Sequence, residues 1–516
     1  MPRSNNGIDR RGMMKYSTLA SAGLLGSFAG CTDMGGGGSG GGGSKDFTKK
    51  AKKIGFADDW QKRRMTSLDE WKIGDRKAVP SEKKLTNKQA WKDSKSLKSS
   101  PFKLPDGWKD VVGDVSELQI LNFGSLKYDP ATVATYALFE DRSGITLNPL
   151  EIVVDQAIPK ETAFLQAGKG KPEMFDVVIT DSLSSFVSGN NLESLDALMP
   201  KEEMWEPYQP VMKSSLKYED HLYAGPTYLE ASLIHVRPDL LKKQGVPEKS
   251  RKAILDGTWT WDDLEAAMKA FEGTGTYAWA YRGSSRVYTM RDFMKMFYQA
   301  GGQFMDDSGT VTVNSKPAQV ALEKMVEWHD KGWVPDEVVN YGQGDLADGF
   351  LSGQFAMVPV YGDLVPKAMA KFKKEGQYTP TLSPKGGKDA PNPTRAGIAS
   401  PTGLGINVNA PTKKKLAAML YLDTRLSLTS QWWEFVVEGN QSYSKDVYTE
   451  AAKTDSANYA EIRGEQMKLN KAEVFPQERP IKQHVSQECQ KALAGDVSPK
   501  KALDNAQDYV DKVLGQ

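Results

Sequence analysis

From Leu118 onward, short apolar runs alternate with stretches of helical spacing, and this alternation limits the possible folds more than any other feature of the chain. Leu118-Gln119-Ile120-Leu121 reads as a strand that ends at Asn122-Phe123-Gly124-Ser125. Pro130 to Glu140 reads as a helix, with Val133, Tyr136 and Ala137 on one face. Leu150 to Val154 predicts a second strand, Lys160 to Ala167 a second helix, and Asp176 to Thr180 a third strand. Strands alternating with helices imply right-handed crossovers and a largely parallel sheet, hence an α/β protein. Ligands of such sheets bind beyond the carboxyl ends of the strands, which puts Asn122, Ser125, Asp181 and Ser182 on one rim. Taken singly, each of the four also suits ordinary turn or cap chemistry.

The middle of the chain reads as mainly helical. Thr260 and Asp263 form a capping-box pattern ahead of Leu264, Ala267, Met268 and Phe271, which share a helical face. Ser315 is placed to cap a helix carrying Leu322, Met325 and Val326 that stops near Gly332. Trp259, Trp261, Trp328 and Trp333 flank these helices and read as core.

The first 44 residues read as an address followed by a tether. Paired arginines, Arg10 and Arg11, precede a short apolar run from Leu19 to Phe28 that ends in Phe28-Ala29-Gly30-Cys31. The run is too short for a permanent membrane helix and fits the apolar part of an export signal over residues 1–30. The arginines resemble a twin-arginine signal and the last four residues a lipobox, which implies cleavage before Cys31 and lipid on its sulfur. Residues 35–44 are GGGGSGGGGS, read together with Cys31 as a flexible linker; the same run is a common engineered fusion linker.

About 470 residues follow, enough for two or three cores, with 39% hydrophobic residues as in ordinary globular proteins. The two cysteines, Cys31 and Cys489, leave no intramolecular disulfide if the first is lipidated. The net charge of +1 conceals an asymmetry, because residues 45–110 carry 19 Lys/Arg against 10 Asp/Glu and the body beyond them is acidic. The extension, residues 45–114, lacks interleaved aromatics and follows an export signal, so no nucleic-acid partner is expected. It reads as a solvated, weakly helical spacer too polar for a core of its own; the alternative lays it on anionic headgroups.

Trp259-Thr260-Trp261-Asp262-Asp263-Leu264, then Ala300-Gly301-Gly302, then Gly353-Gln354-Phe355-Ala356-Met357 resemble, in this order, the solute-binding proteins of ABC importers, and more narrowly their carbohydrate-binding branch. Asp176-Val177-Val178, Gly403-Leu404-Gly405-Ile406-Asn407 and the helix from Ser498 fall in the same order. The resemblance implies a two-lobe fold, with two parallel or mixed sheets flanked by helices and joined by hinge strands. Lobe 1 would begin at 115–234 and lobe 2 at 235–397; the chain would return through 398–455 and finish in lobe 2 at 456–516. Leu229 to Ile234 matches the first crossing, and the resemblance gives Glu230 a sugar-contacting role. It also implies permease subunits as partners, a lipid anchor in the membrane and a monomeric receptor.

Sugar sites need planar donors and acceptors for hydroxyls and flat aromatic faces for the ring. Candidates are Asn122, Asp181, Glu230, Arg282, Asp363, Thr402 and Trp433. Trp432 and Trp433 are adjacent, so only one can face a cleft. Many relatives have a glycine and a tryptophan where this chain has Tyr361 and Asp363, and Arg479, Pro480, Lys482 and His484 stand in place of clustered aromatics. Fewer stacking faces favour a monosaccharide, a short oligosaccharide, a polyol or an acidic sugar over long maltodextrins. Alternatives are a polyamine or glycerol phosphodiester on the same fold, or an exported glycan hydrolase using Asp181 and Glu230 as a carboxylate pair. No enzyme and no cofactor are expected: four histidines lack metal-ligand spacing, and neither a P-loop nor a dinucleotide fingerprint follows the first strand. Cys489 reads as a buried apolar residue.

Overall fold

The computed structural model describes residues 41–65 and 100–516, apart from 124–125, 127–128, 153, 285–286, 307, 454–458 and 473. The export signal, Cys31 and Ser125 lie outside the described residues. The chain divides into a leading unit, Met1–Gly43, and one compact unit, Ser44–Gln516, to which the following applies.

The strands are β1 (Glu117–Phe123), β2 (Thr146–Ile152), β3 (Met174–Val178), β4 (Lys217–Tyr218), β5 (His221–Leu222), β6 (Ala224–Val236), β7 (Tyr277–Trp279), β8 (Phe355–Tyr361), β9 (Thr379–Thr381), β10 (Gly397–Ile406) and β11 (Asn470–Lys471). Nine of them form one curled sheet in the order β2-β1-β3-β10-β6-β8-β7, with β11 added to β10 and β9 to β6. Pairing is parallel from β2 to β3, antiparallel through β10, β6 and β8, and parallel again at β7. Two sheets were expected; β6 and β10 are long enough to run through both halves, so the hydrogen-bonded path is continuous. Gly403 permits their close approach, since a Cβ there would fall 2.8 Å from the Gly225 carbonyl oxygen.

Apolar residues segregate into two large cores and one small one. The first takes Leu118 to Ala231 and then Ala399 to Met467; the second takes Ile234 to Met357, Ala390 to Ile398 and Phe475 to Val510. Trp259, Trp261 and Trp328 are buried in the second core and Trp333 packs at its edge, as their flanking positions predicted. The Thr260 capping box is present, with the Thr260 amide donating to Asp263 Oδ2 at 3.1 Å. Ser315 occupies the cap position of Lys316–Asp330, but its hydroxyl makes no hydrogen bond.

Local boundaries differ in places. The second strand begins at Thr146, four residues before the expected start, because the whole stretch pairs with β1. The helix after it starts at Val154 and tolerates Pro159. The third strand ends at Val178, so Asp181 lies in the first turn of the helix Ile179–Ser188 and not on a loop.

The extension corrects the sequence reading most. Its first helix, Gly41–Lys53, takes in the last residues of the run expected to be a flexible tether. Phe47, Ala51, Ile54, Phe56 and Trp60 are buried in the first core, and Phe102 and Leu104 rejoin it further on. Arg63 and Arg64 both reach the fully buried Asp423, at 2.7 and 2.6 Å. The described part of the extension is therefore a strap on the first core, not a solvated spacer. Truncating Asp423 to Ala strands two buried guanidinium groups and should cost about 3–5 kcal/mol in urea denaturation. Lys49→Ala, at an exposed position, should cost no more than about 0.5 kcal/mol. An unaffected Asp423→Ala protein would restore the spacer reading.

Candidate functional site

Where the two cores meet, charged side chains from both converge. Asp181 sits on a helix whose Leu183 and Phe186 belong to the first core; Arg291 sits on the helix Tyr288–Gln299, whose Met290 and Phe293 belong to the second. Arg291 Nη2 donates to Asp181 Oδ2 at 2.7 Å, and its Nη1 donates to the Tyr361 hydroxyl at 3.2 Å. Lys482, on the helix Glu478–Leu493, lies 3.6 Å from Asp181 Oδ1. Burial pushes the Asp181 carboxyl up, but Arg291, Lys482 and Arg479 outweigh it and hold the group below its ordinary range. A cation in the first turn of a helix opposes the helix dipole, so the position of Arg291 is sustained by this pair and not by its own helix.

Glu230 lies on β6, opposite Ser400 of β10, between Leu229 and Ala231 of the first core and just before the strand enters the second. Its neighbours by charge are Arg291, Asp363, Arg282 and Asp181, contributed by both cores. Burial dominates over the arginines and raises its pKa from 4.5 to about 7. Arg282 stands behind this wall. It is fully buried on Asp292, with Nε donating to Oδ2 at 3.0 Å, and its guanidinium lies 4.9 Å from the Tyr361 ring centre. Lys295 also binds Asp292, so one carboxylate is shared by two buried cations.

The remaining expected residues separate into two groups. Asp363 is half-buried at the start of the helix Leu364–Lys371, 3.5 Å from Gln343 Nε2, on the Glu230 side. Ser182 is buried beside Asp181. Asn122, Thr402 and Trp433 are instead enclosed in the first half. Asn122 Oδ1 accepts from the Tyr136 hydroxyl at 3.2 Å, and the Thr402 hydroxyl pairs with that of Thr227 at 2.7 Å and with the Tyr228 carbonyl. Trp433 is buried with Trp432 in the first core and is not an exposed platform.

Sequence reasoning missed Arg291, Lys482 as an Asp181 partner, and two buried carboxyls. Glu161, on the helix Val154–Gln166, is 0% exposed with both oxygens unpartnered, and Asp176 on β3 has Oδ1 unpartnered. Burial raises both, Asp176 to about 7; Asp176 pushes Glu161 up further while Arg479 draws it down. The signal for Glu161 was present: it shares a helical face with buried Leu165 four residues on. The Glu230 side chain likewise makes no hydrogen bond or ion pair among the described residues. Such carboxyls can accept from hydroxyl groups and, when protonated, donate to them.

The sequence profile of the bacterial extracellular solute-binding proteins matches residues 128–427, and the chain belongs to that family. A probable ABC transporter-binding protein of Deinococcus radiodurans is 24% identical over 235 residues, 42% of this chain and 52% of its own. The chain thus spans about half the length of that curated relative. Among solved structures, maltose-bound T. maritima MalE3 aligns at 19% identity and a TM-score of 0.65, covering 77% of this chain and all of its own. A Thermotoga lettingae ABC transporter solute-binding protein with α-D-tagatose gives 21% and 0.66, with 77% and 100% covered. One from Agrobacterium radiobacter with ribitol gives 19% and 0.66, with 78% and 99% covered. The fold is the two-lobe binding-protein fold of these relatives.

Folded, Glu230 binds its proton more tightly than in the unfolded chain, so its contribution to stability falls as pH rises from about 4.5 to about 7. Glu230→Gln should therefore be about 2 kcal/mol more stable than the native protein at pH 8 and equal to it near pH 4. Thermal unfolding across that range tests this; a variant less stable at pH 8 would show that Glu230 is satisfied within the fold.

Proposed function

We propose that the chain is the solute-receiving component of an ABC importer and closes its two lobes around a sugar or polyol, which it releases unchanged. The observation that carries this reading is the Asp181–Arg291 ion pair between the cores, with Glu230 beside it on the crossing strand. A solute that bonds groups of both lobes binds the closed form better than the open one, and that difference drives closure. Unpartnered oxygens on Glu161 and Asp176, together with Glu230, supply acceptors for hydroxyls. The solved relatives hold maltose, tagatose and ribitol, which supports a small polyhydroxylated solute.

The lobes are proposed to exchange at residues 231–234 and 398–399, where the core membership switches. The last exchange is better placed between Met467 and Phe475 than at residue 455, because Ala460 and Met467 pack in the first core. Lobe 1 includes the N-terminal strap. Export, lipid attachment at Cys31 and a monomeric state complete the proposal, supported by the leader sequence and the family's extracellular description.

Titrating the protein with a panel of monosaccharides, disaccharides and polyols, read by tryptophan fluorescence, tests the reading. At least one should bind, Arg291→Met should weaken it by about tenfold or more, and the recovered solute should be chemically intact. Turnover, or affinity unchanged in Arg291→Met, would contradict the assignment.

A further inference from the structure

The helix Gly41–Lys53 has two opposed faces. Phe47, Ala51 and Ile54 pack it onto the first core, while Lys45, Lys49, Lys52 and Lys53 are exposed on the other side. At 100° per residue, these four lysines occupy an arc of roughly 100°. None has an ion-pair partner among the described residues; Lys50, about 60° beyond the arc, is paired with Asp46 at 2.8 Å. The face is held in place, because Trp60 is buried and Arg63 and Arg64 are locked on Asp423. A solvated spacer would spread its charges over a moving chain. Here the charges are fixed to one side of a folded body.

The rest of the molecule is acidic. With a total charge of +1 and 19 Lys/Arg against 10 Asp/Glu in residues 45–110, the body beyond must be negative. A protein with a basic face and an acidic body is oriented by a negatively charged surface, which attracts the one and repels the other. The exposed lysine arc carries no aromatic side chain on which bases could stack, so a nucleic acid is the poorer fit.

We propose that this lysine face is a docking surface for anionic lipid headgroups, seating the first lobe on the membrane and leaving the second lobe to move. The contact is electrostatic and peripheral, and it is separate from the solute cleft.

The compact unit Ser44–Gln516 can be sedimented with phosphatidylcholine vesicles that contain or lack phosphatidylglycerol. Binding should require phosphatidylglycerol and weaken as salt is raised. The triple variant Lys49→Glu, Lys52→Glu, Lys53→Glu should lose about tenfold or more of its vesicle affinity. The control triple Lys242→Glu, Lys243→Glu, Lys249→Glu, also at exposed positions but in the second lobe, should lose little. Equal binding to both vesicle types, equal loss in the two triple variants, or duplex DNA bound as tightly as vesicles at the same salt would overturn the proposal. Solute-dependent fluorescence measured on the same samples should be unchanged by the first triple, so failure of the lipid surface is distinguishable from failure of solute capture.

Discussion

Strands β6 and β10 pair antiparallel through the middle of the sheet, and each passes from one hydrophobic core into the other. That crossing carries two of the three passages of the chain between the cores, the third lying between Met467 and Phe475. It fixes which residues can meet: Glu230 stands on the crossing itself, Asp181 approaches from one side and Arg291 from the other. The close packing at Gly403 and the register shift between Pro401 and Gly403 leave β10 little room for a side chain on that face. A pair of crossing strands resists shear but bends, which is the property that a clamp needs.

The cleft is electrostatically uneven. Asp181 pairs with Arg291 and has Lys482 nearby, whereas Glu161, Asp176 and Glu230 form no ion pair among the described residues and feel their nearest arginines only at longer range. Buried carboxyls lacking partners lower stability, and their raised pKa values express that cost. Other buried charges are paired: Arg282 with Asp292, Arg425 through Nη2 with Glu434, and the strap arginines with Asp423. Under the proposed function, a donor-rich solute would offset part of that cost, an exchange of stability for binding.

Much of the fold was legible because its signals are local. The strand at Leu118, the Thr260 capping box and the core tryptophans follow from spacing and composition within a dozen residues. Glu230 was singled out through the family resemblance and Asp181 through its place after the third strand, and the two are electrostatic neighbours in the structure. What was illegible depended on distant partners. Arg64 reads as one more charge in a basic run until Asp423, 359 residues later, turns it inward. Arg282 was preferred to Arg291 because nothing in the sequence shows that Asp292, ten residues on, would take Arg282 out of the cleft and leave its neighbour facing Asp181. Asn122 and Thr402 are polar residues at strand ends, and their bonds to Tyr136 and Thr227 are tertiary facts.

The most direct measurement is a crystal structure of the protein with a bound sugar or polyol. The account predicts the solute between the two cores, within hydrogen-bonding distance of Glu230 and of Asp181 or Arg291, with the lobes closed relative to the solute-free protein. A solute seated elsewhere, or lobes whose relative orientation is the same with and without it, would contradict the account.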